Sequence, residues 1–205
     1  MPNNDLLVWI DCEMTGLDVN VDELVEIAVI VTDSQLEPLH AGLQLVIKPH
    51  DSALANMGDF VREMHTSSGL ITEIEHGISV EEAQATVLDY LDGLVPEGVK
   101  PPLAGNSVGT DRAFLVRYMP VLEGRLHYRT IDVSTIKELA RRWQPRVYFN
   151  APPKRNGHRA LDDIRESIRE LDYYRASVFD ASGDITTEQA QQASAAMGEK
   201  YADLV

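Results

Sequence analysis

LLVWIDCEMTGL, Leu6 to Leu17, is an apolar run that ends in two carboxylates and breaks at Gly16. Apolar, β-branched and aromatic residues closed by a turn signal predict a buried central strand. Side chains alternate across a strand, so Leu7, Trp9, Asp11 and Glu13 share one face while Val8, Ile10 and Cys12 share the other. Two acids therefore leave the same face of one strand end. Like charges so close repel, and burying either is costly unless a cation or hydrogen-bond donors compensate. A divalent metal is the simplest compensation. A solvated strand end carrying ordinary surface acids is the alternative, and this stretch alone leaves both open.

Outward from that strand, Glu23 to Asp33 (ELVEIAVIVTD) is almost continuously apolar, as a strand covered on both faces would be. Glu26 stands inside it with no partner evident in the sequence. Leu36 to Lys48 alternates more visibly and stops at Pro49, which suits an outer strand and makes the first three strands an antiparallel meander. Ser52 to Gly77 is mixed and predicts short helices and loops. Ser79 and Glu82 form a capping box ahead of Val80, Ala83, Val87, Leu91 and Leu94 at helical spacing. Pro102 to Asn106 predicts a short strand, Asp111 the start of a helix, Leu126 to Ile131 a fifth strand, and Asp132 the cap of a helix over Val133 to Arg142. The expected fold is thus α/β, a five-stranded mixed sheet with antiparallel strands 1–3 followed by parallel crossovers and flanked by helices. Trp143 to Gly157, with three prolines and three bases, predicts a loop. After it comes a helix striped with Leu161, Ile164, Ile168 and Leu171.

At 205 residues and 44% hydrophobic content, one sizeable core is expected. No run is long enough to span a bilayer, the start lacks a secretory leader pattern, and the cytoplasm is the expected compartment. The single cysteine, Cys12, fits a reducing environment and is expected as a small buried hydrophobe. A net charge of −15, from 33 acids against 18 bases, argues against a protein that tracks along many phosphates. Either nucleic acid is not the partner, or the contacted piece is very short.

Acids fall at structural boundaries: Asp11 and Glu13 at a strand end, Asp111 at a helix start, Asp163 in the first turn of another helix. Oxygen ligands of this kind select Mg²⁺ or Mn²⁺ over zinc. Two such ions stabilise the attacking and leaving oxygens of an in-line displacement at phosphorus. His158 is tethered five residues before Asp163, and an imidazole suits proton transfer from an attacking water. Taken singly, Asp111 and Asp163 answer a helix dipole equally well and His158 an ordinary loop hydrogen bond; together they fall where an α/β sheet would gather them.

Asp11-x-Glu13 after an apolar strand, Asn106 five residues before Asp111, and His158 five before Asp163 resemble the three motifs of the DEDDh 3′→5′ exonucleases, which have a ribonuclease-H-like fold. WIDCEMTGLD, GNSVGTDRAFL, YRTIDVSTIKELARRW and HRALDDIRESIREL resemble, more narrowly, the oligoribonucleases within that superfamily. The resemblance implies Asp11, Glu13, Asp111 and Asp163 as ligands of two Mg²⁺ or Mn²⁺ ions and His158 as general base, with Asp162 outside the ligand set. It implies 5′-phosphorylated dinucleotides as chief substrate, cleaved to mononucleotides, which suits the acidic charge. Leu17 and Phe60 would wedge and stack the bases, Phe60 standing where other members carry Trp and offering less stacking area. Ser107, Arg129 and Ser134 would cap the 5′ phosphate with His65 and Tyr128 helping, some of them across a homodimer. Residues 1–180 would form the exonuclease domain and 181–205 a peripheral helix or partly mobile tail.

Three rivals differ in chemistry or class. Asp11-x-Glu13-x-Thr15 mimics the Asp-x-Asp-x-Thr nucleophile motif of haloacid-dehalogenase-like phosphatases, in which Asp11 would be the covalent nucleophile; Glu13 departs from it and His158 has no role there. A proofreading exonuclease on single-stranded DNA would share the metal site. A non-catalytic binding module would not need the full set of acids and base. Gly105 to Gly109 lacks the Lys-Ser/Thr of a phosphate loop.

Overall fold

The structure, a computed structural model, describes residues 5–154, 157–179, 183 and 185–202. Five strands form one sheet in the order β3-β2-β1-β4-β5. They are β1 (Leu7–Met14), β2 (Leu24–Thr32), β3 (Leu43–Val46), β4 (Pro102–Gly105) and β5 (His127–Asp132). β1 lies at the centre, antiparallel to β2 and parallel to β4. β2–β3 is antiparallel and β4–β5 parallel, which is the expected meander followed by crossovers. The helices are α1 (Asp51–Asn56), α2 (Asp59–Ser67), α3 (Leu70–Glu73), α4 (Val80–Asp92), α5 (Gly109–Tyr118), α6 (Pro120–Glu123), α7 (Val133–Trp143), α8 (Pro145–Phe149), α9 (Ala160–Tyr174) and α10 (Thr187–Lys200).

The period-two alternation of β1 divides the core. Val8, Ile10, Cys12 and Met14 pack into one cluster with Ala83, Val87 and Leu91 of α4 and Phe114 and Leu115 of α5. Trp9 packs on the other face with Ala104, Val133 and Ala140, and with Ile164 and Tyr174 of α9. The indole N–H of Trp9 donates to Thr32 Oγ1 at 3.0 Å, so the largest buried ring leaves no donor unpaired. Apolar packing thus clamps both faces of β1, and its carboxylates emerge beyond the clamp.

Three expectations need correction. Leu36 to Lys48 pairs as a strand only over Leu43–Val46. Asp33 Oδ1 accepts the N–H groups of Gln35 and Glu37 in a turn, and Gly42 takes a φ of +98° that other residues rarely adopt, so the chain reaches the sheet late. The stretch expected as a loop from Trp143 to Gly157 contains α8, with Pro145 at its first position where the missing N–H costs nothing; Arg155 and Asn156 lie outside the described residues. α5 begins at Gly109, two residues before the expected start, and its Asp111 does not cap it. The capping box of Ser79 with Glu82 and the Asp132 cap of α7 are present. In the region expected as a peripheral helix or tail, α10 opens with its own capping box, Thr186 with Gln189, and its described side chains are exposed.

Candidate active site

At the carboxyl end of β1 a cleft of about 340 Å³ is lined by Asp11, Glu13, Leu17, Asn106, Ser107, Asp111, Lys154, His158 and Asp163, among others. β1 supplies the first two acids. α5 supplies Asp111, which is buried and turned back so that Oδ1 accepts the Cys12 N–H at 3.0 Å. That bond ties Asp111 to β1 at the residue between Asp11 and Glu13. α9 supplies Asp163, whereas Asp162 points away and accepts from Arg165 at 2.9 Å. His158, exposed at the mouth with a φ of +49°, completes a triplet in which one ligand atom each of Glu13, His158 and Asp163 lies within 4.8 Å of the others.

Electrostatically the cleft asks for a cation. Burial pushes the Asp11 carboxyl well above the usual range, with Asp111, Asp163 and Glu13 adding to it. Glu13 rises to about 8, chiefly by burial and then by Asp163, Glu26 and Asp111, with the Arg159 guanidinium opposing. Asp111 rises to about 7 by burial, although the Cys12 N–H pulls the other way. Asp163 is raised by burial, with His158 and Lys154 pulling down. Oxygen donors that resist ionising side by side are the set a hard divalent ion satisfies.

Other expected residues are distributed around this core. Leu17 projects on a turn at 78% exposure and Phe60 on α2 at 80%. The turn is clasped: Asp22 accepts from the Thr15 hydroxyl and the Asp18 N–H, each at 2.9 Å. A Cβ on Gly16 would come within 2.4 Å of that carboxylate. Ser107 and Ser134 hydroxyls meet at 3.0 Å, and their N–H groups both donate to Asp132. Tyr128 is 75% exposed on edge strand β5, with the Arg129 guanidinium 5.5 Å from its ring centroid. Neither lines the cleft. His65, expected beside the 5′ phosphate, is instead fully buried: Nε2 sits 2.8 Å from the Met14 carbonyl oxygen and Nδ1 4.0 Å from Glu13. Burial lowers its pKa, so it backs the acids as a neutral ring.

Several side chains brace the site across distant elements. Asn106 donates to Ser167 Oγ at 2.8 Å and to Glu170 Oε2 at 3.2 Å while accepting from Ser134, which joins β4, α7 and α9. Lys154 enters the cleft and pairs with Glu170 at 2.9 Å. Glu26, fully buried, accepts from Arg159 and from the Ala160 N–H.

A family model described as Exonuclease (RNase_T) matches residues 8–171. The chain is 63% identical over 199 residues to the oligoribonuclease of Leifsonia xyli, covering 97% of this chain and 96% of that one. It is 59% identical to the oligoribonuclease of Streptomyces coelicolor, covering 86% and 88%. Among solved structures it is similar in fold to a zinc-bound E. coli ExoI–single-stranded DNA complex, with TM-score 0.67, 16% identity and 85% of this chain covered. It spans only 41% of that longer chain.

Proposed function

This chain belongs to the exonuclease family and, within it, to the oligoribonucleases, and from that premise we propose that it hydrolyses very short oligoribonucleotides, chiefly 5′-phosphorylated dinucleotides, to nucleoside 5′-monophosphates. It is a 3′→5′ exoribonuclease, and its family implies dependence on a divalent metal. The observation that carries the finer reading is the convergence of Asp11, Glu13, Asp111, Asp163 and His158 on one cleft. Four carboxylates whose charge is uncompensated fit two Mg²⁺ or Mn²⁺ ions, held by Asp11, Glu13, Asp111 and Asp163. Such ions would neutralise charge on the phosphoryl oxygens.

The residues of the chain do the rest. His158, at the mouth and beside Glu13 and Asp163, is the general base that takes the proton of the attacking water. Leu17 wedges between the two bases and Phe60 stacks on one of them, which suits their exposure. The paired hydroxyls of Ser107 and Ser134, with Arg129, close over the 5′ phosphate. Among the described residues Arg129 pairs with no carboxylate, which leaves its guanidinium for an anion. His65 supports Glu13 from behind. We assign a homodimer in which Tyr128 of the partner subunit reaches the site, because Tyr128 stands exposed on the edge strand outside its own cleft. A second reading, a phosphatase with Asp11 as nucleophile, is disfavoured because the Thr15 hydroxyl is engaged by Asp22. Residues 1–180 form the catalytic domain in this account, and 181–205 an appendage to it.

The test is a length series. Two-, three- and seven-residue 5′-phosphorylated RNAs and single-stranded DNA are incubated with Mg²⁺, Mn²⁺ or EDTA. Fastest cleavage of the dinucleotide and none in EDTA is expected. Preference for the seven-residue RNA or the DNA, or an aspartyl-phosphate at Asp11, would overturn the reading.

A further inference from the structure

Glu13 and Glu26 are direct partners in the β1–β2 register, so their side chains rise from the same sheet face. Opposed carboxylates destabilise a strand pair unless a donor separates their charge. Glu26 has that donor. It is fully buried, and Oε1 accepts from Arg159 Nε at 3.0 Å, from an Arg159 terminal nitrogen at 2.8 Å and from Gln44 Nε2 at 2.7 Å, while Oε2 accepts from the Ala160 N–H at 2.8 Å. The same guanidinium reaches outward to both oxygens of Glu73 in α3, at 2.9 and 3.0 Å. One planar fork therefore joins β2, α3 and the start of α9.

Sequence distance ties that fork to the cleft. Arg159 is the residue after His158 and four before Asp163, and its carbonyl oxygen accepts the Asp163 N–H at 3.0 Å. His158 itself sits in the left-handed region at φ +49°, a conformation that a non-glycine residue keeps only when its neighbours hold it. The one-residue link between that strained position and the helix is anchored through Arg159 to Glu26, the cross-strand neighbour of Glu13.

We propose that Glu26 and Arg159 are positioning residues that set His158 and Asp163 against Glu13, with Glu73 as the outer anchor. The proposal rests on the nuclease reading of the cleft. The planar fork supplies the stiffness: a guanidinium bonded to two carboxylates has fewer alternatives than a lysine ammonium.

The experiment compares the wild type with R159Q, R159K and E73Q, using a 5′-phosphorylated diribonucleotide in Mg²⁺, alongside thermal midpoints and the His158 Cε1–H NMR resonance without substrate. R159Q is expected to lower the thermal midpoint, since it strips the counter-charge from the fully buried Glu26, and to stay folded at the assay temperature. Its kcat should fall about a hundredfold, with KM within about threefold, because misplacing a reacting group by about 1 Å costs that much. R159K should recover part of the rate, and E73Q, which weakens the outer anchor but leaves the Glu26 bonds intact, should lower kcat by less than R159Q does. The His158 resonance should move in R159Q. Wild-type kcat together with an unmoved resonance, or a rate loss that only tracks the unfolded fraction, would overturn the proposal. If R159Q does not fold, R159K carries the test on the same readouts, with about a fivefold fall in kcat expected. If the wild type cleaves no RNA, the nuclease reading fails and the resonance alone decides the positioning claim.

Discussion

Glu13 and Glu26 face each other across two strands and meet different fates. Glu26 is saturated by resident donors, whereas Glu13 and Asp111, buried, and Asp11 and Asp163, half-buried, crowd together with their carboxyls pushed upward. Glu13 rises from 4.5 to about 8 and Asp111 from 3.8 to about 7. A carboxyl raised in the folded state contributes stability below its ordinary value and loses it as pH climbs through the raised one. Metal-free protein should therefore lose thermal stability between about pH 4 and 8, and the gain on adding Mg²⁺ or Mn²⁺ should grow across that window. Melting in EDTA and in metal at each pH checks this, and a metal increment independent of pH would contradict it. Asp163→Ala should abolish cleavage with the fold intact, while His158→Ala should lower kcat by about 10²–10⁴-fold with dinucleotide affinity little changed. Steady-state kinetics and equilibrium binding separate the two. Four acids of the cleft are legible in the sequence because carboxylates at strand and helix ends carry a local signal, and His158 is legible because it stands five residues before Asp163. Lys154, Glu170 and the Glu26–Arg159 pair are not, since Arg159 lies 133 positions from Glu26 and no local pattern encodes the meeting. His65 departs from expectation for a related reason: the apolar residues of its helix, Phe60, Val61 and Met64, are all more exposed than His65 itself, so hydropathy points to the wrong side.

At the scale of elements, β1 is legible from alternation alone, and its two faces do divide the core between α4 with α5 and α7 with α9. Ser79 and Glu82 announce α4 through a reciprocal cap visible in four letters of sequence. The bounds of β3 and the presence of α8 are not legible: alternation over Leu36 to Lys48 survives in the letters, although a turn at Asp33 and a left-handed Gly42 delay pairing to four residues. Pro145 reads equally well as a loop residue or as the first residue of a helix. β5 is an edge strand with exposed Tyr128 and Arg129, followed by the α7 turn bearing Ser134. Arg129→Ala should raise KM for 5′-phosphorylated dinucleotides by about tenfold and leave 5′-hydroxyl dinucleotides within about twofold, as expected when one charge-assisted contact to phosphate is lost. Paired kinetics on the two substrates check it, and an equal loss on both would remove Arg129 from the phosphate site.

Across the whole molecule the net charge of −15 and the compact cleft suit the proposed small ligand. A protein this acidic gains little by electrostatic tracking along RNA, whereas a dinucleotide presents few phosphates and cations in the cleft would meet them. Large apolar side chains left in water on the second half of the chain, Tyr128, Trp143 and Phe149 among them, suit burial between two copies. Light scattering behind size exclusion should give a mass near twice 22.8 kDa, and a monomer at micromolar concentration would leave Tyr128 without a site to complete. The chemistry assigned to the cleft requires the carboxylates of Asp11, Glu13, Asp111 and Asp163 to hold cations in common. Anomalous diffraction from crystals grown with Mn²⁺ and a non-hydrolysable 5′-phosphorylated dinucleotide measures that directly. Two peaks about 3.5–4 Å apart among those four side chains are expected; an empty cleft, or Mn²⁺ bound only elsewhere, would contradict it.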